Sequence, residues 1–367
     1  MKRFALVAVA CALAVTAWPF AKKKKEDETQ VLQLPKELPA AAVGETKRLI
    51  FFTTPLSNRG LLSAQVREAL KNLNRMAGGA TVLKLRAFVA GTGDLRRVRD
   101  LVSEHYGGGK QQLPALSLVQ AGGLPMEGAQ VILEAVAQGK KDVNPDGLVF
   151  ISAQTATSPS PLDPVPPLTA KVLEALRAAV KAAGSEPADV ARVSCFFSSL
   201  ENLAASRDLV AKEYPNAAQN YVQTQRAPGR AVAACEAVAR LRRNIAADIQ
   251  VLNPQGLPSE PGQSQVALVA APRLVLSGTQ VSFGFSESDA RLAFERLKKA
   301  VEQAQGSPDR IAFASYYPLS GSIAEQVRKV RTAFFNPSRA PAGSMVLFES
   351  LPSMEAGFAI DVVVAKE

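Results

Sequence analysis

The sequence predicts an α+β fold made of three similar units in tandem, and three observations predict it. Amphipathic helical stretches of one design occur three times, and a strand-like run follows each. Each unit then closes on two strands split by a Leu-Pro or Ala-Pro turn, with one acid in the second strand. A chain of 367 residues is comfortable for two or three cores. With 47% apolar and 21% charged residues, it is excluded from the wholesale disordered class.

In chain order, MKRFALVAVACALAVTAWPFA (1–21) comes first. Lys2 and Arg3 precede an apolar run, and Val15-Thr16-Ala17 offers small residues for cleavage. That layout predicts a secretory signal peptide, hence a periplasmic or secreted protein with no membrane association once it is removed. A short membrane anchor is the alternative. Lys22 to Lys25 directly after the run resist export. Cys11 follows Ala8-Val9-Ala10, a weak lipoprotein signal, since the apolar run continues past it. Residues 22–40 read as a polar linker.

The units follow at 41–138, 139–243 and 266–367, with a linker at 244–265. Before each first helix runs a strand: RLIFFTTP, GLVFISAQ and RLVLSGTQ. The first helices carry apolar positions at helical spacing, Val66/Leu70/Leu73, Val172/Leu176/Val180 and Ala290/Phe294/Leu297/Val301, and are expected to stop at Gly78, Gly184 and Gly306. The strands TVLKLRAFVA, DVARVSCFFS and RIAFASYYPL come next. Second helices are anchored by Leu95 and Tyr106, Leu203 and Tyr214, and Ile323 and Phe334, eleven positions apart each time. The closing hairpins turn at Leu124-Pro125, Ala227-Pro228 and Leu351-Pro352. Glu134, Glu236 and Asp361 follow in their second strands. The polar stretch NPQGLPSEPGQSQ (253–265) leads into VALVA, expected as the first strand of unit three.

The formal charge is +10, or +8 once Lys2 and Arg3 leave with the signal (10 − 2). The basic residues are scattered and no aromatics interleave with them, so a nucleic-acid groove is not expected. Cys195 and Cys235 lie in strand-like runs and either pair or stay as buried thiols. The single histidine, His105, ends a helix, where a positive charge suits the dipole. One histidine and no CxxC exclude the usual zinc sites, and no cofactor or metal is expected.

Taken together, the strand ends Ser152-Ala153-Gln154 and Ser277-Gly278-Thr279, the helix exit Ala183-Gly184-Ser185 and the closing strand–LP–strand–EAVA resemble the RidA family. These are reactive-intermediate (enamine/imine) deaminases, also called the YjgF or L-PSP endoribonuclease family. The resemblance covers nearly all of the chain after residue 40. It implies chorismate-mutase-like domains, each a mixed sheet backed by two helices. Three of them would close an intramolecular pseudo-trimer, with a barrel-like core of sheets, helices outside and ligand clefts between units. It also implies a site glutamate that orients water, matched by Glu134 and Glu236 and, in shorter form, by Asp361. The family's carboxylate-binding arginine is missing: Leu116, Gln219 and Gly343 occupy its position, and Leu118, Tyr221 and Met345 stand two residues on, where cysteine is common. Thr53, Ser152 and Ser277 correspond to cleft-lining positions and are equally plain strand-end turn formers. Arg226, beside the second turn, reads as structural.

Three functions remain. The first is an exported pseudo-trimer, monomeric as a chain, that binds an unidentified small molecule at its clefts. The second is an imine or enamine hydrolase with a substituted substrate anchor. A nucleic-acid-acting protein ranks lowest. A carboxylate in a strand also has a purely structural reading, as an acceptor that fixes the fold.

Overall fold

The structure, a computed structural model, describes residues 35–91, 94–108, 111–258 and 260–367. The expected signal peptide and the linker up to residue 34 lie outside the described residues. After a leading strand β1 (Ala41–Glu45), unit one runs β2 (Leu49–Thr53), α1 (Leu62–Ala77), β3 (Thr81–Ala90), α2 (Leu95–Gly107), β4 (Ala115–Ala121) and β5 (Val131–Gln138). Unit two repeats this as β6 (Leu148–Ser158), α3 (Val165–Ala182), β7 (Val190–Phe197), α4 (Leu203–Glu213), β8 (Ala218–Gln223) and β9 (Ala231–Arg240), followed by β10 (Ile249–Leu252). Unit three comprises β11 (Val266–Val269), β12 (Arg273–Ser277), β13 (Gln280–Phe283), α5 (Glu287–Gln303), β14 (Ile311–Pro318), α6 (Gly321–Phe334), β15 (Ala342–Met345) and β16 (Ala356–Lys366).

The fold is mixed α+β with three separate sheets, ordered β2-β5-β3-β4, β10-β11-β6-β9-β7-β8 and β1-β12-β16-β14-β15, with β13 also on β16. Among the described residues no sheet closes on itself as a barrel. In each unit one pair is parallel, β3–β4, β7–β8 or β14–β15, and a helix makes the crossover that such a pair requires. Two strands cross between units. VALVA, expected to open unit three, supplies β11, which pairs antiparallel with β6 of unit two. β1, at the head of unit one, pairs antiparallel with β12 of unit three. Each short apolar strand thereby hydrogen-bonds to a neighbouring unit rather than to its own.

The helix stops follow the expected rule twice. Gly78 and Gly184 take left-handed conformations. In the third unit Gln305 does so instead, at φ 59°. Gly306 is needed for space, since a Cβ there would lie 3.0 Å from Val301 and 3.2 Å from Val275. His105 stands in the last turn of α2, as expected. Burial pushes its pKa down, and Nε2 lies 2.8 Å from the Asn74 amide. Cys195 and Cys235 are joined by a disulfide across β7 and β9.

Strand alternation sorts the core into layers. In β3, Leu85, Ala87 and Val89 face α1 and α2, whereas Arg86 and Phe88 face the other way. Those inward faces of the three sheets meet. At one end Leu83, Val136, Phe150, Val238, Leu276 and Phe313 share an apolar cluster. At the other end Phe88, Phe196, Tyr317 and Phe348 share a second cluster, with ring centroids 5.5–5.9 Å apart. Between the two layers every inward position is polar.

The exchange of β1 predicts a measurable dependence. A chain beginning at Thr46 is expected to melt at a lower temperature and to associate in a concentration-dependent way through the freed β12 edge. Calorimetry and light scattering check this; an unchanged melting point would show that β1 adds nothing to the sheet.

Candidate functional site: a buried polar layer and an inter-unit cleft

The polar layer is built from equivalent positions. Glu134 in β5, Glu236 in β9 and Asp361 in β16 stand opposite Arg86, Ser194 and Ser315 in the adjoining strands. Opposite those, on the edge strands, come Ser117, Asn220 and Ser344. Two residues before Arg86 and Ser194 lie Lys84 and Arg192. All three acids are buried, at 1%, 0% and 2% exposure, so any charge on them must be balanced within the layer.

Cations from neighbouring strands and units supply the balance. Arg86 donates from Nε to Glu134 Oε2 at 2.7 Å and from Nη2 to Glu236 Oε1 at 2.7 Å, bridging units one and two. Arg192 reaches the same Glu236 oxygen at 3.2 Å. Lys84 of unit one pairs with Asp361 of unit three at 2.5 Å. Neutral donors complete the shells. Ser194 and Asn220 of unit two donate to Glu134 Oε1 at 2.6 and 2.7 Å. Ser117 and Tyr317 donate to Asp361 Oδ2 at 2.6 and 2.8 Å. The Arg86 guanidinium also lies 5.2 Å from the Phe88 ring centroid, a cation–π distance.

These contacts decide the ionisation. Burial alone would raise Glu134, but Arg86, Arg192, Ser194 and Asn220 outweigh it and hold the carboxyl below its ordinary range. Asp361 is likewise depressed, with burial opposed by Lys84 and Ser117. Burial and the Asp361 charge push Tyr317 well up, so it stays a donor. At neutral pH Glu134 and Asp361 are therefore ionised acceptors with their lone pairs engaged. Beside them lies a cavity of about 30 Å³, lined by Lys84, Arg86, Glu134, Arg192, Ser315 and Asp361 among others. That is room for a water or two. Arg192 Nε and Glu236 Oε2 are buried without a hydrogen-bond partner among the described residues.

The other expected positions are dispersed. Thr53 stands opposite Glu134, and its buried hydroxyl has no partner among the described residues. Ser152 Oγ donates to Ser264 O at 2.6 Å and accepts from Gly343 N at 2.8 Å, so Ser152 and Gly343 meet across units two and three. Ser277 Oγ accepts from Val362 N within its own unit. Leu116 O accepts from Thr279 N, and Gly278 packs so closely that its Cβ would lie 2.7 Å from that oxygen. Gln219 folds back to bond Tyr214 O and the Tyr221 hydroxyl. Arg226 ties its unit to the others through Glu349 and Gly91 O. Sequence reasoning missed Lys84, Arg86 and Arg192. Their signal was basic residues at alternate positions in apolar strands, LKLRAF and ARVSCF.

A separate cleft of about 580 Å³ opens between units two and three. Thr155, Thr157, Thr224 and Val232 line one side, and Arg328 and Met345 the other. It has the volume of a small-molecule site, with hydroxyls and two guanidinium groups, Arg230 and Arg328, around an apolar floor. Among the described residues no group of three or more His, Cys, Asp or Glu could hold a metal ion.

No family model matches the chain, and no curated protein matches it. Among solved structures the chain is similar to a Rid-family protein of unknown function from Yersinia pestis. The identity is 16% over 33% of this chain and 100% of that one, at a TM-score of 0.28. It is similar to a YjgF-family protein from Neisseria meningitidis, at 16% identity over 33% and 96% of the two chains and a TM-score of 0.25. A member of the YjgF/YER057c/UK114 family from Mycobacterium tuberculosis matches at 17% identity over 32% and 99%, with a TM-score of 0.24. Each match takes up about a third of this chain.

Two outcomes are expected from the layer. Arg86→Met leaves two buried carboxylates short of a cation and should cost about 3–5 kcal/mol, read from denaturant unfolding. Glu134 and Asp361 have folded pKa values below their unfolded ones. Their contribution is therefore complete above the unfolded range of about 4 and is lost as pH falls through the folded values. Stability should drop below about pH 4, and Glu134→Gln or Asp361→Asn should flatten that slope.

Proposed function

We propose that this is an exported, single-chain RidA-like protein whose three units act as an intramolecular pseudo-trimer, and that it binds a small molecule at an inter-unit cleft. On this reading it does not hydrolyse imines at its three acids. One observation carries it: two of the three acids are spent on cations and donors of the layer itself. Glu134 and Asp361 are fully engaged by neighbouring donors, and the space beside them is about 30 Å³, far below the few hundred Å³ of a ligand pocket. The 580 Å³ cleft between units two and three is the place with room.

Support for the pseudo-trimer comes from the shared apolar clusters and the exchanged strands. Support for export comes from the signal-like first 21 residues and from the Cys195–Cys235 disulfide, a bond that persists in oxidising compartments. A hydrolase reading has one observation in its favour, the unpartnered Glu236 Oε2 beside Arg192. It would require the small cavity to open by an order of magnitude.

Thr157→Trp, which fills the cleft from an exposed position, is expected to abolish binding of any metabolite found by thermal-shift screening, without lowering the apo melting point. Glu236→Gln should leave that binding intact. Imine hydrolysis that is present in the wild type and lost in a folded Glu236→Gln variant would overturn the binding reading. The mature chain should also run near its monomer mass; a trimer by light scattering would contradict the intramolecular pseudo-trimer.

A further inference from the structure

Residues 260–265, between β10 and β11, lie against α6 and are gripped by one side chain. Arg331 is fully buried, at 0% exposure. Its Nη2 donates to Glu260 Oε2 at 2.7 Å, its Nη1 to Gln263 Oε1 at 2.7 Å, and its Nε to Pro261 O at 3.1 Å. Arg328, one turn earlier on α6, approaches the same Glu260 carboxylate to 3.6 Å. The Arg331 guanidinium lies 5.7 Å from the Tyr316 ring centroid, and the Tyr316 hydroxyl is buried without a hydrogen-bond partner among the described residues.

The two members of this ion pair differ in kind. The guanidinium is sealed, whereas the Glu260 side chain is 41% exposed on a segment whose turn is made by Pro261 and left-handed Gly262. A buried guanidinium left without a counter-charge is strongly unfavourable, so this position must always hold an anion. Nothing requires that the anion be Glu260. Arg328, Glu325 and Ala324 of the same helix line the 580 Å³ cleft, and Arg328, 3.6 Å from the Glu260 carboxylate, links the two.

We propose that Arg331 and Arg328 form a carboxylate-binding site, that Glu260 fills it in the resting chain as a tethered carboxylate, and that a small carboxylate entering the adjacent cleft takes its place. The guanidinium keeps its counter-charge throughout, and Glu260 swings to solvent with its segment. Two guanidinium groups, Arg331 through Nη2 and Arg328 through Nε, face the one Glu260 carboxylate, and charge-assisted donors of this kind suit a carboxylate. The tether sets an effective concentration in the millimolar range, so the intruder competes only at comparable concentration or with help from the cleft. This inference rests on the cleft reading above for the ligand's point of entry.

The test uses the full chain, wild type and Glu260→Gln, with butyrate as probe and chloride at equal ionic strength as control. Loss of the charged latch should speed amide exchange in 260–265 by about tenfold or more. Butyrate should bind Glu260→Gln about tenfold tighter than wild type by calorimetry and should restore slow exchange in α6. Equal affinity for the two chains, or no butyrate binding to the variant, would show a fixed structural clasp and overturn the proposal. A screened metabolite whose binding depends on Thr157 but not on Glu260 would leave the cleft reading standing while overturning this one.

Discussion

A charge buried among apolar side chains must be neutralised where it lies, and this molecule completes that requirement by sharing charges between its units. Unit one contributes two cations and one acid to the central layer, Lys84 and Arg86 against Glu134. Unit two contributes Arg192 and Glu236, and unit three contributes Asp361 with no cation of its own. The surplus in unit one matches the deficit in unit three. Three cations then face three acids, and no charge is left over. Identical subunits could not divide the charges this way. A tandem chain can, because covalent linkage lets equivalent positions diverge while holding them together.

The same requirement limits what Glu134 and Asp361 are free to do. An acid that activates water needs a free lone pair and a reachable substrate. Glu134 and Asp361 have each of their oxygens engaged by neighbouring donors. The layer lies between an apolar cluster and an aromatic one, both drawn from all three units. The strands β1 and β11 reinforce the join through backbone pairing, which is insensitive to side-chain drift. The cleft between units two and three lies apart from these demands and has room for a ligand.

Much of the fold was legible. The repeated helix–strand–helix–strand–strand order, the eleven-residue anchor spacing and the acid after each turn all correspond to observed elements, because periodicity and turn chemistry are local. The matched positions Glu134, Glu236 and Asp361 do stand in equivalent register. What stayed hidden was long-range. Lys84 and Arg86 looked like part of a scattered surface charge, because nothing local says that a strand's second face is also buried. VALVA read as the start of its own unit, because a five-residue apolar run carries no address for the sheet it joins. Arg331 carries no local signal of burial, because the segment at 260–265 that covers it lies about seventy positions away in the chain.

The most direct test of the inter-unit charge balance is a double-mutant cycle across units one and three, with Lys84→Met, Asp361→Leu and the pair, followed by denaturant unfolding. If the layer ties the units by mutual neutralisation, each single change strands a buried charge. The double change should then recover a coupling energy of about 2 kcal/mol or more. Losses that simply add would mean that Lys84 and Asp361 are neutralised separately, and that the layer does not hold the units together.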